Sequence, residues 1–315
     1  MDRRTFVVAL ASLAAGCATD GGDATTTTTP TQTPSTTTST PSPTTTTETP
    51  TTAEPTTTTE TPTATPDEQA AQYIDDATAK IEAAAEEYAS YGAGGTDVAS
   101  VTATADGFTW TTVANRVGEA GRLLSQAEKT ATESQRDTIS RLRGLVNFLL
   151  YGARCQFELI DADQSAATVI DQMSETTLDA AGGDRVDRIR THRQNATQYL
   201  STLRDRSRSR DTRAVSFLTV NQYVTVTENL QTELDTVDVV TGVLLTLDEA
   251  YRLYREADRR SNYDQATQAE DQFRSALTTL DDHTPAESMS ARIDSLTELT
   301  TAWVEKTEEL RRDLD

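Results

Sequence analysis

From Ile74 onward, apolar side chains return every three or four residues, the period of a helix with one buried face. Ile74, Ala77, Ile81, Ala84 and Tyr88 share such a face, and Gly92-Ala93-Gly94-Gly95 ends the helix they predict. Trp110, Val113, Val117, Ala120, Leu124 and Ala127 form a second stripe. Ile139, Leu142, Val146, Leu149, Ala153 and Phe157 form a third, widened by Leu145, Phe148 and Tyr151 until most sides are apolar, which predicts a central helix. Val169, Ile170, Met173 and Leu178 predict a short fourth helix stopped by Gly182-Gly183. Asp184 then offers an N-cap for a helix carrying Val186, Ile189, Ala196, Tyr199 and Leu203.

The run Arg204 to Arg213 breaks the pattern and reads as a connection. Beyond it Phe217, Val220, Tyr223 or Val224, Leu230, Leu234 and Val237 keep helical spacing, although the Val and Thr content makes a strand over Val215 to Val226 the local alternative. Val240 to Ala257, Tyr263 to Leu280 and Ala286 to Leu314 complete about eight or nine helices. The expected fold is all-α, a multi-helix bundle or stacked helical hairpins over residues 67–315, long enough for a substantial core in one domain or two closely packed subdomains.

Before residue 67 the pattern vanishes. From Ala24 to Pro66 the chain is almost entirely Thr, Pro, Ser and Ala, and such a stretch cannot repay the entropy of ordering. Residues 18–66 read as a disordered, extended tether with a reach of about 40 Å as a coil and on the order of 150 Å at full stretch. Its composition also resembles O-glycosylated stalks. Ahead of the tether, Arg3 and Arg4 precede an apolar run from Phe6 to Ala15, about half the roughly 20 residues that cross a bilayer. A charged start, a short apolar stretch and small residues make the layout of a removed export signal over 1–16.

Leu13-Ala14-Ala15-Gly16-Cys17 resembles the lipobox of bacterial and archaeal lipoproteins, and Arg3-Arg4 with Phe6 resembles the twin-arginine signal. The resemblance implies export of a folded chain, cleavage before Cys17 and a membrane lipid joined to its sulfur. It places the helical domain on the outer face of the cytoplasmic membrane.

The formal net charge is −22, from 50 acidic and 28 basic side chains, and Lys80, Lys129 and Lys306 are the only lysines. This acid excess and lysine scarcity resemble proteins of halophilic archaea, whose carboxylate surfaces stay soluble while molar salt screens their repulsion. Such a charge repels phosphate backbones, so no nucleic-acid partner is expected. Once Cys17 carries lipid, Cys155 has no second thiol to pair with, and its apolar neighbours predict a buried, inert side chain.

Motifs for catalysis are not found. His192 and His283 occur in no Glu-x-x-His or His-Glu-x-x-His arrangement, and each reads as a solvated helix-surface side chain. No phosphate loop, serine elbow or calcium loop is present, so no cofactor, no metal and no enzyme activity is expected. Acidic pairs such as Asp75/Asp76, Glu86/Glu87 and Asp281/Asp282 read as surface. Against the overall charge stand nine arginines, Arg185, Arg188, Arg190, Arg193, Arg204, Arg206, Arg208, Arg210 and Arg213. They read either as a docking patch for an acidic envelope protein or anionic glycan, or as neutralising partners for nearby carboxylates. Asn195-Ala196-Thr197 is an N-glycosylation sequon within this stretch. Ala257, Ala269, Phe273, Ala276 and Leu277 resemble the spacing of a tetratricopeptide-type helix pair over about 40 residues, which implies close hairpin packing there. Together these features favour a non-catalytic cell-surface interaction or scaffold module. A solute-binding lipoprotein working with a transporter is the alternative.

Overall fold

The computed structural model describes residues 65–175 and 180–315, with side chains placed for 65–174 and 184–315. The expected export signal (Arg3, Arg4), lipid acceptor Cys17 and tether up to residue 64, together with Leu178, lie outside the described residues. Seven α-helices follow in order: α1 (Pro66–Ala89), α2 (Trp110–Ala127), α3 (Glu133–Glu175), α4 (Ala180–Arg206), α5 (Val220–Arg260), α6 (Tyr263–Asp281) and α7 (Ser290–Leu314). Short 3-10 turns at Val98–Ser100, Ser209–Ala214 and Glu287–Met289 join them, and no strand occurs among the described residues.

Three helices start on one device, Thr-x-x-Glu/Gln, which satisfies backbone groups that the first helical turn leaves free. The Thr65 N–H donates to Glu68 Oε2 at 2.8 Å, the Thr132 N–H to Gln135 Oε1 at 2.8 Å, and the Thr219 N–H to Gln222 Oε1 at 2.9 Å. The last of these decides the local alternative at Val215 to Val226. A capped start puts Tyr223, Val226 and Leu230 on one buried face, and burial outweighs the β preference of the valines and threonines.

Four stripes that read as separate helices run together in pairs. The third and fourth are one helix of 43 residues, α3, because buried Leu159, Ile160, Ala162 and Ala166 continue the stripe and no Gly or Pro stands between Phe157 and Val169. Likewise α5 runs for 41 residues through Val237, Val240 and Leu244. Gly182-Gly183 does not separate helices as expected, since α4 is already helical from Ala180. Two helical glycines cost about 1 kcal/mol each relative to alanine, a preference too weak to end a helix by itself. At the other end of α5 the turn into α6 is sharp. Ser261 takes the left-handed conformation (φ 50°), and Asn262 caps α6 by accepting from the Gln265 N–H at 3.2 Å.

Sequential helices pack antiparallel. Lys80–Glu119 and Glu87–Arg116 pairs fix α1 on α2, and Arg274–Glu308 and Glu270–Arg311 fix α6 on α7. The central helix expected from the third stripe is α3, which packs against α1, α2, α4, α5 and α7. Along its first part it carries α1 and α2, with Gln135 Nε2 bonded to Asp67 O at 3.0 Å, so the start of α1 lies level with the start of α3, while α4 runs antiparallel along it through Cys155 and Glu158. Further along it meets α7, where Arg292 grips the buried Asp163 with two hydrogen bonds of 2.9 and 3.0 Å. The core there is aromatic. Phe273 and Trp303 lie parallel at 5.9 Å, and Tyr251 meets the Trp303 edge at 5.0 Å. Ala257, Ala269 and Ala276 are buried in or beside the α5–α6 hairpin.

Candidate functional site

The nine arginines fall into two groups. Arg188 and Arg206 are about 27 Å apart along α4, so the stretch is no single patch. In the first group Arg190 pairs with Asp187 at 2.7 Å and Arg193 with Asp238 of α5. Arg185 is half-buried and its Nη1 has no hydrogen-bond partner among the described residues. In the second group Arg204 and Arg206 close the last turn of α4, where cations complement the negative end of the helix dipole. Arg204 Nη1 donates to Gln231 Oε1 at 2.9 Å, Arg208 Nη1 donates to the Ser207 and Arg204 carbonyls, and Arg206 lies over the Tyr151 ring at 5.9 Å. Arg188, Arg210 and Arg213 are exposed and make no ion pair among the described residues. Neutralisation of neighbouring carboxylates therefore accounts for Arg190 and Arg193, not for the end of α4.

The turn that displays Arg210 and Arg213 is held rigidly. Asp211 is buried and accepts from the Arg208 N–H at 2.8 Å, and its carboxylate lies against Gly144 of α3. The turn also packs on α5, whose first turns leave Val220 and Val224 39% and 38% exposed. The result is an end of the domain with arginines beside bare valines.

Between α3 and α4, His192 Nδ1 lies 2.7 Å from Glu158 Oε2, and Asn195 Nδ2 donates to the same oxygen at 3.2 Å. The histidine is thus half-buried and partnered, not solvated as the sequence reading had it, because antiparallel pairing sets it opposite a carboxylate 34 residues away. The sequon amide of Asn195 is engaged by that contact. Burial raises the Asp161 carboxyl nearby, helped by the Glu158 charge and opposed by His192. Asp161 and His192 border a shallow cleft of about 270 Å³ that includes Ser165 and Arg188. His283 also has a partner, Thr236 Oγ1 at 3.2 Å.

A third feature lies where α5 meets two connections. Asn229, Glu233 and Thr236 occupy successive turns of one α5 face and tie down both. Asn229 Nδ2 donates to Ala99 O at 3.1 Å, and the Ala286 N–H donates to Thr236 Oγ1 at 3.0 Å. Glu233, 2% exposed, accepts from the Ala103 N–H at 2.7 Å and Ser288 Oγ at 2.9 Å through Oε1, and from Gln156 Nε2 at 3.0 Å through Oε2. Burial raises its carboxyl above the ordinary range against the pull of those three donors, with the Asp163 charge adding to the rise. Above it opens a cleft of about 410 Å³ lined by Thr102, Thr104, Thr232, Glu287 and Ser288 among others.

Glu233 was missed in the sequence. Its signal was position: it stands three residues after Leu230 on the face that Leu234 and Val237 bury. Cys155 is fully buried as expected, and burial pushes its thiol far above the usual range. Among the described residues no group of three or more His, Cys, Asp or Glu is placed to hold a metal ion, and no helix is long and apolar enough to cross a membrane. No family model, curated protein or solved structure matches the chain.

Proposed function

We propose that this chain is a lipid-anchored cell-surface module that docks an acidic partner protein of the envelope through its arginine-rich end. The observation that carries the reading is the display of Arg206, Arg210 and Arg213, which pair with no carboxylate among the described residues, at the end of α4 and on the turn that packs against the start of α5 with its exposed Val220 and Val224, in a chain of net charge −22. Arginine beside apolar surface is the composition of protein interfaces, where guanidinium groups pair carboxylates bidentately. The lipobox ending at Cys17 and the Arg3-Arg4 signal support the anchor, and the Thr/Pro tether supplies reach. No catalytic role is assigned to the domain.

The test is crosslinking in cells followed by capture from solubilised envelope. Wild type should recover a specific acidic protein, and Arg210→Glu/Arg213→Glu should lose it while keeping its melting temperature. Equal recovery by both, or none above background, overturns the reading. Cys17→Ser should leave the chain in the medium or as uncleaved precursor, and mature protein still on the membrane would refute the anchor. Solute capture for a transporter is the second reading, favoured by the cleft above the buried Glu233 carboxylate.

A further inference from the structure

We infer that the cleft over Glu233 is a binding site for a small organic cation carrying a primary ammonium group. The inference names a ligand class for the second reading and rests on the cleft, not on the anchor or the arginine end.

Burying a carboxylate without a counter-charge is costly, and the two acids buried nearly as deeply as Glu233 each have one. Asp163 (4% exposed) is clamped by Arg292, and Glu270 (5% exposed) lies between Arg274 and Arg311. Glu233 is buried more deeply than either, yet its three donors are a peptide N–H, a hydroxyl and an amide, all neutral. No arginine or lysine lines the cleft above it. An ionised carboxylate offers about four acceptor positions, so about one remains unfilled. The charge that this pocket lacks is one that a ligand would bring.

The lining says which ligand. Thr102, Thr104, Thr232 and Ser288 contribute hydroxyl oxygens, and Glu287 stands exposed beside them as a second carboxylate. An ammonium carries three N–H donors and no acceptor, and one carboxylate with two hydroxyls satisfies it. A hard divalent ion needs six or more oxygens, several of them carboxylate, a set not found here. An anion would face two carboxylates, Glu233 and Glu287, with no cation on the lining. The volume, about 410 Å³, falls in the range of small-molecule sites.

The full chain is titrated calorimetrically, and its melting temperature followed, with ethylamine, ethanolamine and 1,4-diaminobutane. Ethylene glycol and propionate serve as neutral and anionic counterparts, and potassium chloride fixes the ionic strength. The amines should bind and raise the melting temperature, and the counterparts should do neither. Glu233→Gln keeps an acceptor for Ala103 and Ser288, and a rotated Gln156 amide can accept from it. It should fold and lose about tenfold or more in amine affinity, the scale of one charge-assisted hydrogen bond. Thr232→Lys sets an ammonium on the cleft wall and should raise the melting temperature while abolishing amine binding. Amines that act no better than their counterparts, an equal response from Glu233→Gln, or displacement by potassium alone would each overturn the inference. Amine binding without capture of any transporter leaves it standing and removes only the transporter.

Discussion

Gly144 is the position where the packing of the arginine-bearing turn is open to a one-atom test. A Cβ added there would lie 2.0 Å from Asp211 Oδ2 and 2.5 Å from its Cγ, well inside contact distance. Both groups are buried, and the carboxylate is held by the Arg208 N–H, so relief requires the whole Ser209–Ala214 turn to lift from α3. Overpacking of this kind costs about 1–3 kcal/mol, and loosening the Asp211 hydrogen bond adds about 1 kcal/mol. Alanine in the middle of a helix returns about 1 kcal/mol relative to glycine. Gly144→Ala should therefore lose about 1–3 kcal/mol, or about 2–12 °C in melting temperature for a domain of this size.

Gly118 in α2 is the internal control. A Cβ there meets nothing within 4 Å, so Gly118→Ala should gain about 0.5–1 kcal/mol. Far-ultraviolet circular dichroism during heating, with urea titrations to check the slope, reads both variants against wild type. The reasoning fails if Gly144→Ala is as stable as wild type or rises together with Gly118→Ala.

Three further outcomes are expected. Arg292→Met leaves the buried Asp163 carboxylate without its cation and should cost about 2–4 kcal/mol by urea unfolding; a loss no larger than about 0.5 kcal/mol, the range of surface substitutions, would refute the pairing. Asp163→Leu combined with Arg292→Met should recover part of that loss. The buried Cys155 thiol should resist maleimide in the native chain and react once denatured, so fast native labelling, counted on a Cys17→Ser background, would contradict its placement. Glu233, whose carboxyl is raised by burial, binds its proton more tightly folded than unfolded, so it adds stability as pH falls through that raised value toward the ordinary carboxylate range. The unfolding free energy of wild type minus that of Glu233→Gln should accordingly move in favour of wild type from about pH 7 to about pH 5. A flat difference would show that the group does not titrate there.

The helical faces were legible because burial repeats with the helix period: every member of the Ile74 to Tyr88 stripe is buried, and so is Val113 through Ala127. Helix ends were less legible. Gly182-Gly183 and the Val237 to Val240 junction looked like breaks, yet local propensity of about 1 kcal/mol per residue yields to packing against a neighbour the sequence does not name. Side-chain partners were least legible. Glu158 meets His192, and Glu233 meets Ala103 and Ser288, only because helices pack antiparallel and connections fold back, and one sequence carries no record of which residues those contacts join. The arginines could be counted from the sequence but not sorted into paired and displayed groups.

The length of α3 and α5 has a mechanical consequence. α1 and α2 clothe the first part of α3, α6 and α7 pack on each other and on α5, and the two long helices, with α4 along both, serve both groups. No hinge separates the groups, and neither can be cut away without stripping the buried faces of a helix the other needs. Heat or denaturant should therefore melt the domain in one step. A pull on the chain ahead of Thr65 enters through α1 and is borne along α3, so the domain resists it as a single strut.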